Sequence, residues 1–182
     1  KTIRNGDQRL GMITLDVADF DSTQKSIETL FREHGTPDLV VNCAGFARPG
    51  YLPDLPVDEV RRMMEVNLLG TFHVCKVVEP YLRKKGEGHI VNTASVAGYI
   101  GLFGYTAYCA TKFGVIGFSE ALRRELKPYG IRVSVLCPPI TKTPGLEKEN
   151  QTKPEAVWKM EQNIRAVDPD FVAQKLLKGI RK

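Results

Sequence analysis

The 182-residue sequence predicts one α/β domain in which helices cover both faces of a parallel sheet. Short apolar strands alternate with longer amphipathic helices along the chain, which is typical of parallel sheets. Small or polar residues follow the predicted strands, and open α/β sheets bind ligands beyond the carboxyl ends of their strands. Hydrophobic residues make up 42% of the chain and charged residues 26%, values that are ordinary for a folded globular domain.

The predicted elements follow one another without internal repeats. Residues 12–15 are a short apolar run that ends at Asp16, and we interpret them as a buried strand. Asp21 or Ser22 caps the next helix, which extends to about residue 33. The later elements are a strand at 39–43, a helix at about 57–82, a strand at 89–94, a helix at about 106–127, a strand at 131–137, a polar segment to about 154 and further helix beyond it.

Tyr108 and Lys112 form the most informative local pattern, with Ser95 thirteen positions before the tyrosine. Residues four apart on a helix share one face, so the Lys112 ammonium can lie close to the Tyr108 ring oxygen. A cation favours the ionised phenol, so we expect the Tyr108 pKa to lie below its ordinary value of about 10. Such a tyrosine can give its proton to a carbonyl oxygen that is becoming an alcohol. The alternative is a solvated i,i+4 pair of tyrosine and lysine on a helix surface, without a catalytic role.

Composition argues against several other classes of function. The net charge is +5, but Lys and Arg are spread along the chain, so we expect no nucleic-acid partner. Arg83-Lys84-Lys85 lies at a predicted helix end, where cations complement the helix dipole. Residues 99–118 are long enough to span a bilayer, but Lys112 and four glycines favour a buried loop and core helix. The cysteines lack metal-ligand spacing, so we expect no metal site and reduced, buried thiols at Cys43, Cys75, Cys109 and Cys137.

Several motifs together resemble the short-chain dehydrogenase/reductase family along nearly the whole chain. The matching residues are Asn42-Cys43-Ala44-Gly45, Asn67 in Val66-Asn67-Leu68-Leu69-Gly70, Ser95, Tyr108 with Lys112, and Pro138 followed by Thr143. The resemblance implies a Rossmann-type doubly wound sheet in a single domain over residues 1–182. It also implies a homodimer or homotetramer, joined through the helices that carry Asn67 and Tyr108, with Gly114 and Gly117 allowing close approach.

The resemblance implies a role for each matching residue. Tyr108 would be the general acid/base, while Lys112 would lower its pKa and hold the nicotinamide ribose. Ser95 would hydrogen-bond the substrate carbonyl, and Asn67 would organise a water-linked proton path to Lys112. The cofactor would be NADPH, with NAD as the alternative. Its remaining contacts would be Asp16 at the adenine, Asn42, Ala44 and Gly45 beside the sheet, and Pro138, Ile140 and Thr143 toward the carboxamide.

Structural alternatives exist for four of these residues. Asn67 lies in an apolar helical stripe, and for a buried amide there the alternative is a purely structural role as a cap for backbone groups. Ser95 can simply end its strand, and Asp16 can be a turn residue. Gly45 suits close backbone approach or a positive φ whether or not a cofactor binds.

Two features depart from the family pattern. Pro139 follows Pro138, where most relatives have Gly. No Gly-rich turn precedes Asp16, although such a turn holds the cofactor pyrophosphate at a helix N-terminus in the family. We therefore expect the sequence to begin after the second strand of the full domain and to end early, so that the domain is partial at both ends.

A narrower resemblance, to the 3-ketodihydrosphingosine reductases, comes from the segment after residue 137. It contains Pro138-Pro139, Thr143-Pro144-Gly145 and Glu149-Asn150-Gln151-Thr152-Lys153-Pro154. These enzymes use NADPH to reduce the 3-keto group of a long-chain sphingoid base. A long chain needs an apolar trough, and the candidate residues for it are Phe46, Tyr51, Leu102, Phe103, Leu146 and Trp158.

The narrower resemblance also bears on location. It implies the cytoplasm, or the cytosolic face of the endoplasmic reticulum membrane, with any membrane anchor outside these residues. Two enzyme alternatives are a β-ketoacyl carrier-protein reductase and a generic short-chain alcohol dehydrogenase or carbonyl reductase. A non-catalytic dinucleotide-binding scaffold is a third alternative, because a fold by itself does not establish a function.

Overall fold

Three parallel strands form the centre of the structure, a computed structural model that describes residues 10–181. In chain order, and in the same spatial order, they are β1 Leu39–Asn42, β2 Gly88–Thr93 and β3 Ile131–Leu136. β2 pairs with both neighbours, so that Ile90 lies opposite Val40 on one side and Val133 on the other. Ile90 and Val91 are fully buried, as expected for a central strand covered on both faces. The predicted parallel sheet is confirmed.

Helices connect and cover the strands. Within residues 10–181 they are α1 Phe20–His34, α2 Val57–Met63, α3 Gly70–Lys85, α4 Thr106–Leu126, α5 Pro144–Asn150, α6 Glu155–Glu161 and α7 Pro169–Ile180. Gly86 ends α3 in the left-handed conformation, with φ 78°, which glycine adopts without strain. None of the helices in this part of the chain has both the length and the apolarity that a bilayer crossing requires.

The main core joins α1, α3 and α4 to the sheet. Leu82 of α3 and Ile90 of β2 are fully buried, and Ile27 of α1 and Leu126 of α4 pack in the same cluster. This apolar layer fixes the strands, and their carboxyl ends open on the side where the site lies.

Residues 12–15 form no strand, so that prediction is wrong. Met12 is 87% exposed and Ile13 is 47% exposed. A strand needs a neighbour for its backbone hydrogen bonds, and within residues 10–181 β1 pairs only with β2. A short apolar run in the sequence does not reveal whether such a neighbour lies beside it.

Two helix predictions also need correction. The cap of α1 is Asp19 rather than Asp21 or Ser22, because the Asp19 carboxylate accepts a hydrogen bond from the Ser22 amide at 3.0 Å. The predicted helix over 57–82 is divided by a π-helical stretch at Met64–Leu69. Such stretches are frequent at functional sites.

Candidate active site

The carboxyl ends of the three strands open onto a cleft of about 350 Å³, a volume within the range of small-molecule sites. The cleft lies where open α/β sheets bind ligands. Segments that are distant in sequence supply its walls. Among the residues predicted for the site, those that line it are Gly45, Ser95, Tyr108, Lys112, Pro138, Ile140 and Thr143.

Lys112 points into the protein rather than into solvent, and the residue is only 5% exposed. Its Nζ donates to the Thr93 carbonyl oxygen at 3.0 Å and lies 5.6 Å from the centre of the Tyr108 ring. Burial disfavours the charged form and lowers the Lys112 pKa to about 8. An ammonium carries three N–H donors, so donors remain for a ligand in the cleft.

The Tyr108 phenol lies in the same cleft, but its pKa moves opposite to the prediction. Burial raises the pKa to about 12, the neighbouring Ser95 side chain partly counteracts this rise, and the charge of Glu149 adds to it. The prediction of a lowered pKa is therefore wrong for this structure. Desolvation of the buried phenolate is the largest cause of this rise. At neutral pH the phenol keeps its proton.

Ser95 follows β2 and serves two purposes. Its Oγ accepts a hydrogen bond from the Ala97 amide at 3.2 Å and so caps the short 3₁₀ turn Val96–Gly98. The same hydroxyl lines the cleft and is near enough to Tyr108 to affect its pKa. Ser95 therefore has the structural role of ending its strand. Its hydroxyl hydrogen is not used in the cap and remains free to donate toward the cleft.

Asn67 lies in the π-helical stretch and is almost fully buried. Its Oδ1 accepts from the Phe46 amide at 3.0 Å, and its Nδ2 donates to the Phe46 carbonyl at 2.9 Å and to Thr111 Oγ1 at 3.1 Å. The amide therefore ties the loop after β1 to α4. These contacts are those of the structural alternative, and the proton-path role stays a prediction.

Gly45 brings the backbone of this loop close to two of the site residues. A Cβ placed on it would lie 3.0 Å from Asn67 Oδ1 and 3.5 Å from Lys112 Nζ. Backbone atoms of the loop at Gly45 therefore lie close to Lys112 on this side of the cleft. The Lys112 ammonium also has N–H donors that residues 10–181 do not use. Such a donor set fits the ribose hydroxyls of a nicotinamide cofactor.

Three predicted cofactor residues do not belong to the lining of the cleft, namely Asp16, Asn42 and Ala44. The Asp16 carboxylate accepts from a backbone amide two residues later and pairs with Arg62 Nη2 at 2.6 Å, which lowers its pKa. Asn42 donates through Nδ2 to Asn92 Oδ1 at 2.8 Å and so links β1 to β2. Asp16 thus has the turn geometry of its structural alternative.

The segment after β3 supplies the remaining predicted contacts. Pro138, Ile140 and Thr143 line the cleft. The Thr143 hydroxyl accepts from the Leu146 amide at 3.2 Å and caps α5. The Ile140 carbonyl accepts from the Val167 amide at 2.9 Å, which ties this segment to the chain just before α7.

A second polar cluster, three of whose four members line the cleft, was not predicted from the sequence. Buried Tyr105 donates to Glu149 Oε1 at 2.6 Å and to Glu161 Oε1 at 3.2 Å. Lys153 Nζ donates to Glu161 Oε2 at 2.6 Å and lies 3.6 Å from Glu149 Oε1. We call these four residues the Tyr105 cluster. The spacing of Tyr105 before Tyr108, and of Glu149 before Lys153, was a usable signal, whereas nothing in the sequence marked Glu161.

Other predictions near the cleft are only partly met. Of the six trough candidates, those that line the cleft are Phe46, Leu102 and Leu146, and those that do not are Tyr51, Phe103 and Trp158. Tyr51 packs edge to face on Phe103, with ring centres 5.7 Å apart. The four cysteines are free thiols, and Cys75 and Cys109 are buried as predicted. The predicted burial is wrong for Cys43, which is exposed and lines the cleft, and Cys137 is only half-buried.

Gly114 was predicted to allow close approach of a second chain. A Cβ on it would lie 2.9 Å from the Leu68 side chain of the same chain, so its small size is needed within the fold. At Gly117 an added Cβ would meet nothing within 4 Å. Only Gly117 therefore leaves room on the outer side of α4.

The sequence model of the short chain dehydrogenase family matches residues 1–154. The chain belongs to the short-chain dehydrogenase family. Among curated relatives, it is 38% identical over 175 residues to the 3-ketodihydrosphingosine reductase of Bos taurus, and 39% identical over 175 residues to the 3-dehydrosphinganine reductase of Danio rerio. Each alignment covers 96% of this chain and 53% of the relative, so the chain spans about half the length of these relatives.

Solved structures of this family have the same fold. The structure titled ElxO with NADP bound has a TM-score of 0.78 at 27% identity, and the match covers 89% of this chain and 67% of that one. A short-chain dehydrogenase from Streptomyces avermitilis has a TM-score of 0.80 at 25% identity, and the match covers 93% of this chain and 66% of that one. In this short-chain dehydrogenase chain, one cleft brings together Ser95, Tyr108 and Lys112.

Proposed function

We propose that this protein is an NADPH-dependent carbonyl reductase that converts 3-ketodihydrosphingosine to dihydrosphingosine. The observation that carries the proposal is the meeting of Ser95, Tyr108 and Lys112 in one cleft. The choice of substrate is supported by relatives named 3-ketodihydrosphingosine reductase or 3-dehydrosphinganine reductase, at 38% and 39% identity.

Ser95 and Tyr108 supply two hydroxyl groups for the carbonyl oxygen of the substrate. Both can donate hydrogen bonds, because burial holds the Tyr108 pKa at about 12 and the phenol is neutral at physiological pH. Negative charge develops on the oxygen as the carbonyl carbon is reduced, and these two donors stabilise it. An alkoxide is a stronger base than a phenolate, so the proton passes from the Tyr108 hydroxyl to the alkoxide oxygen, which gives the alcohol and a Tyr108 phenolate.

NADPH, when bound, supplies the hydride that the ketone accepts. Lys112 would hold the ribose hydroxyls through its spare N–H donors, beside the close-packed backbone at Gly45. Ile140 and Thr143, which line the cleft, would contact the carboxamide end. A related solved structure is titled as having NADP bound, which supports NADPH over NADH.

The test is the oxidation of NADPH by the purified protein, followed by absorbance with two ketones. We expect turnover of 3-ketodihydrosphingosine with a higher kcat/KM than that of an acetoacetyl carrier-protein substrate. A preference for the acetoacetyl substrate would favour a β-ketoacyl reductase instead. No turnover of any ketone would favour a dinucleotide-binding scaffold.

We also propose that the protein is a homodimer or homotetramer joined through α3 and α4. Phe72 on α3 and Phe113 on α4 are 41% and 46% exposed, and Gly117 leaves open space beside α4. Large exposed aromatic side chains on neighbouring helices favour an interface. Sedimentation equilibrium is expected to give a multiple of the chain mass, and a monomer at all concentrations would contradict the proposal.

A further inference from the structure

The cleft carries a negative charge that the reaction of a simple ketone does not use. The Tyr105 cluster contains two carboxylates, Glu149 and Glu161, and one ammonium, Lys153. Both carboxylates line the cleft together with Ser95 and Tyr108. The cluster therefore contains one more acidic side chain than basic side chains.

Glu149 and Glu161 differ in how closely Lys153 contacts them. Lys153 Nζ lies 2.6 Å from Glu161 Oε2 but 3.6 Å from Glu149 Oε1, so its close partner is Glu161. Glu149 Oε1 accepts the Tyr105 hydroxyl at 2.6 Å. Within residues 10–181, Glu149 Oε2 receives no hydrogen bond, and the Glu149 side chain is 19% exposed. Glu149 therefore lines the cleft and keeps one carboxylate oxygen that accepts no hydrogen bond from the described residues.

Glu149 also lies within electrostatic reach of the group that would react. Its charge contributes to the raised pKa of Tyr108. The lining of the cleft joins Tyr108, Ser95 and Glu149 in one space. A ligand whose carbonyl oxygen meets Ser95 and Tyr108 thus has its neighbouring atoms near a carboxylate.

We propose that Glu149 is a specificity-determining residue that binds the ammonium group of a 2-amino-3-ketone substrate. The inference rests on the proposed function and deepens it, because it names the residue that recognises the amine. In such a substrate the ammonium-bearing carbon is bonded directly to the carbonyl carbon, so a group that binds the ammonium must lie close to Tyr108. A hydrogen bond between an ammonium and a partly buried carboxylate is among the stronger polar contacts in proteins.

The same carboxylate discriminates against neutral ketones. A β-keto thioester has no cation to place beside Glu149, so its binding would desolvate the carboxylate without compensation. The structural contribution of the cluster is carried mainly by Glu161 and Lys153, whose contact is the shorter one at 2.6 Å. Glu149 is therefore the member of the cluster that can be changed with the least effect on folding.

The test compares two ketones in two variants. The ketones are 3-ketodihydrosphingosine and the same 3-keto chain without the 2-amino group. The test variant is Glu149→Gln, and its matched control is Glu147→Gln, an exposed residue on the same helix. We expect Glu149→Gln to raise KM for the amino ketone by about 10- to 100-fold, as for loss of a charged hydrogen bond, with a much smaller change in kcat. KM for the deamino ketone should fall in Glu149→Gln, because no charged carboxylate has to be desolvated. Both constants of Glu147→Gln should stay near those of the wild type.

Three other results would overturn either the role of Glu149 or the proposed function. Equal kcat/KM of the wild type for the two ketones would overturn the inference and leave the proposed function standing. An equal effect of Glu149→Gln on both ketones would do the same, because it would show a structural role. No turnover of either ketone by the wild type would overturn the proposed function itself. The comparison of ketones in the wild type requires no variant to fold.

Discussion

Two buried lysines have opposite surroundings: Lys112 lines the cleft, and Lys153 lies behind the carboxylates that line it. Lys112 has a backbone carbonyl as its hydrogen-bond partner, and burial lowers its pKa to about 8. Lys153 is equally buried but contacts the carboxylates of Glu161 and Glu149. Paired charges neutralise one another inside a protein, whereas an ammonium held only by a carbonyl keeps donors and charge for a ligand. The difference indicates that Lys153 stabilises the fold and that Lys112 serves binding and chemistry.

Tyr108 and Tyr105 show the same contrast between a group placed for chemistry and a group that stabilises the fold. Tyr108 has its phenol near Ser95, and Tyr105 donates to two carboxylates. Burial and the two carboxylates raise the pKa of Tyr105 even further than that of Tyr108. Tyr105 therefore acts as a hydrogen-bonding anchor, and Tyr108 is the phenol placed for proton transfer.

The largest expected effect separates these two tyrosines. Tyr108→Phe should lower kcat by about 10²–10⁴-fold, because the general acid is removed, with little loss of stability. Tyr105→Phe should keep kcat within about tenfold but lower the free energy of unfolding by about 1–3 kcal/mol, because two partly buried carboxylates lose a donor. Ketone reduction assays and urea unfolding measure both quantities. Equal kcat values for wild type and Tyr108→Phe would remove this tyrosine from the mechanism.

The lysines give the second comparison. Lys153→Met should lower the free energy of unfolding by about 3–5 kcal/mol, because it leaves two carboxylates without their cation. Lys112→Met should leave stability unchanged or raise it, since a desolvated charge is removed, while NADPH binding and turnover fall. Urea unfolding at pH 7 and NADPH titration measure the two effects. If Lys112→Met were the less stable of the two variants, the division between the lysines would be wrong.

A smaller effect distinguishes the two carboxylates of the Tyr105 cluster. Glu161→Gln should lower the free energy of unfolding by about 1.5–3 kcal/mol, because Glu161 makes the 2.6 Å contact with Lys153. Glu149→Gln should lower the free energy of unfolding by less than about 1 kcal/mol, because the contact of Glu149 with Lys153 is 3.6 Å. Thermal unfolding of both variants checks the order. The reverse order would assign the structural role to Glu149.

The sequence was informative where the chemistry depends on local spacing. The interval between Tyr108 and Lys112 is set by one helical turn, and α4 has the predicted start at Thr106. The order of strands and helices also follows from the alternation of apolar patterns. These features depend only on neighbours along the chain. They were sufficient to predict the parallel sheet and the Tyr108 and Lys112 pair, which with Ser95 lines the cleft.

The remaining features depend on which segments pack together. The direction of the Tyr108 pKa shift depends on burial by distant residues, so the presence of Lys112 could not predict it. Glu161 reaches the cleft only because α6 folds back toward Tyr105. Residues 12–15 have a strand-like sequence, but strand formation requires a paired neighbour.

The pH dependence of kcat/KM for NADPH in ketone reduction tests the role of Lys112 most directly. The Lys112 pKa of about 8 lies below its ordinary value, so the ammonium loses its charge in the free enzyme as the pH rises through about 8. The account predicts that kcat/KM is highest below this pH and falls above it with an apparent pKa near 8. A profile that stays flat from neutral pH to about pH 10, the ordinary range of a solvated lysine, would contradict it.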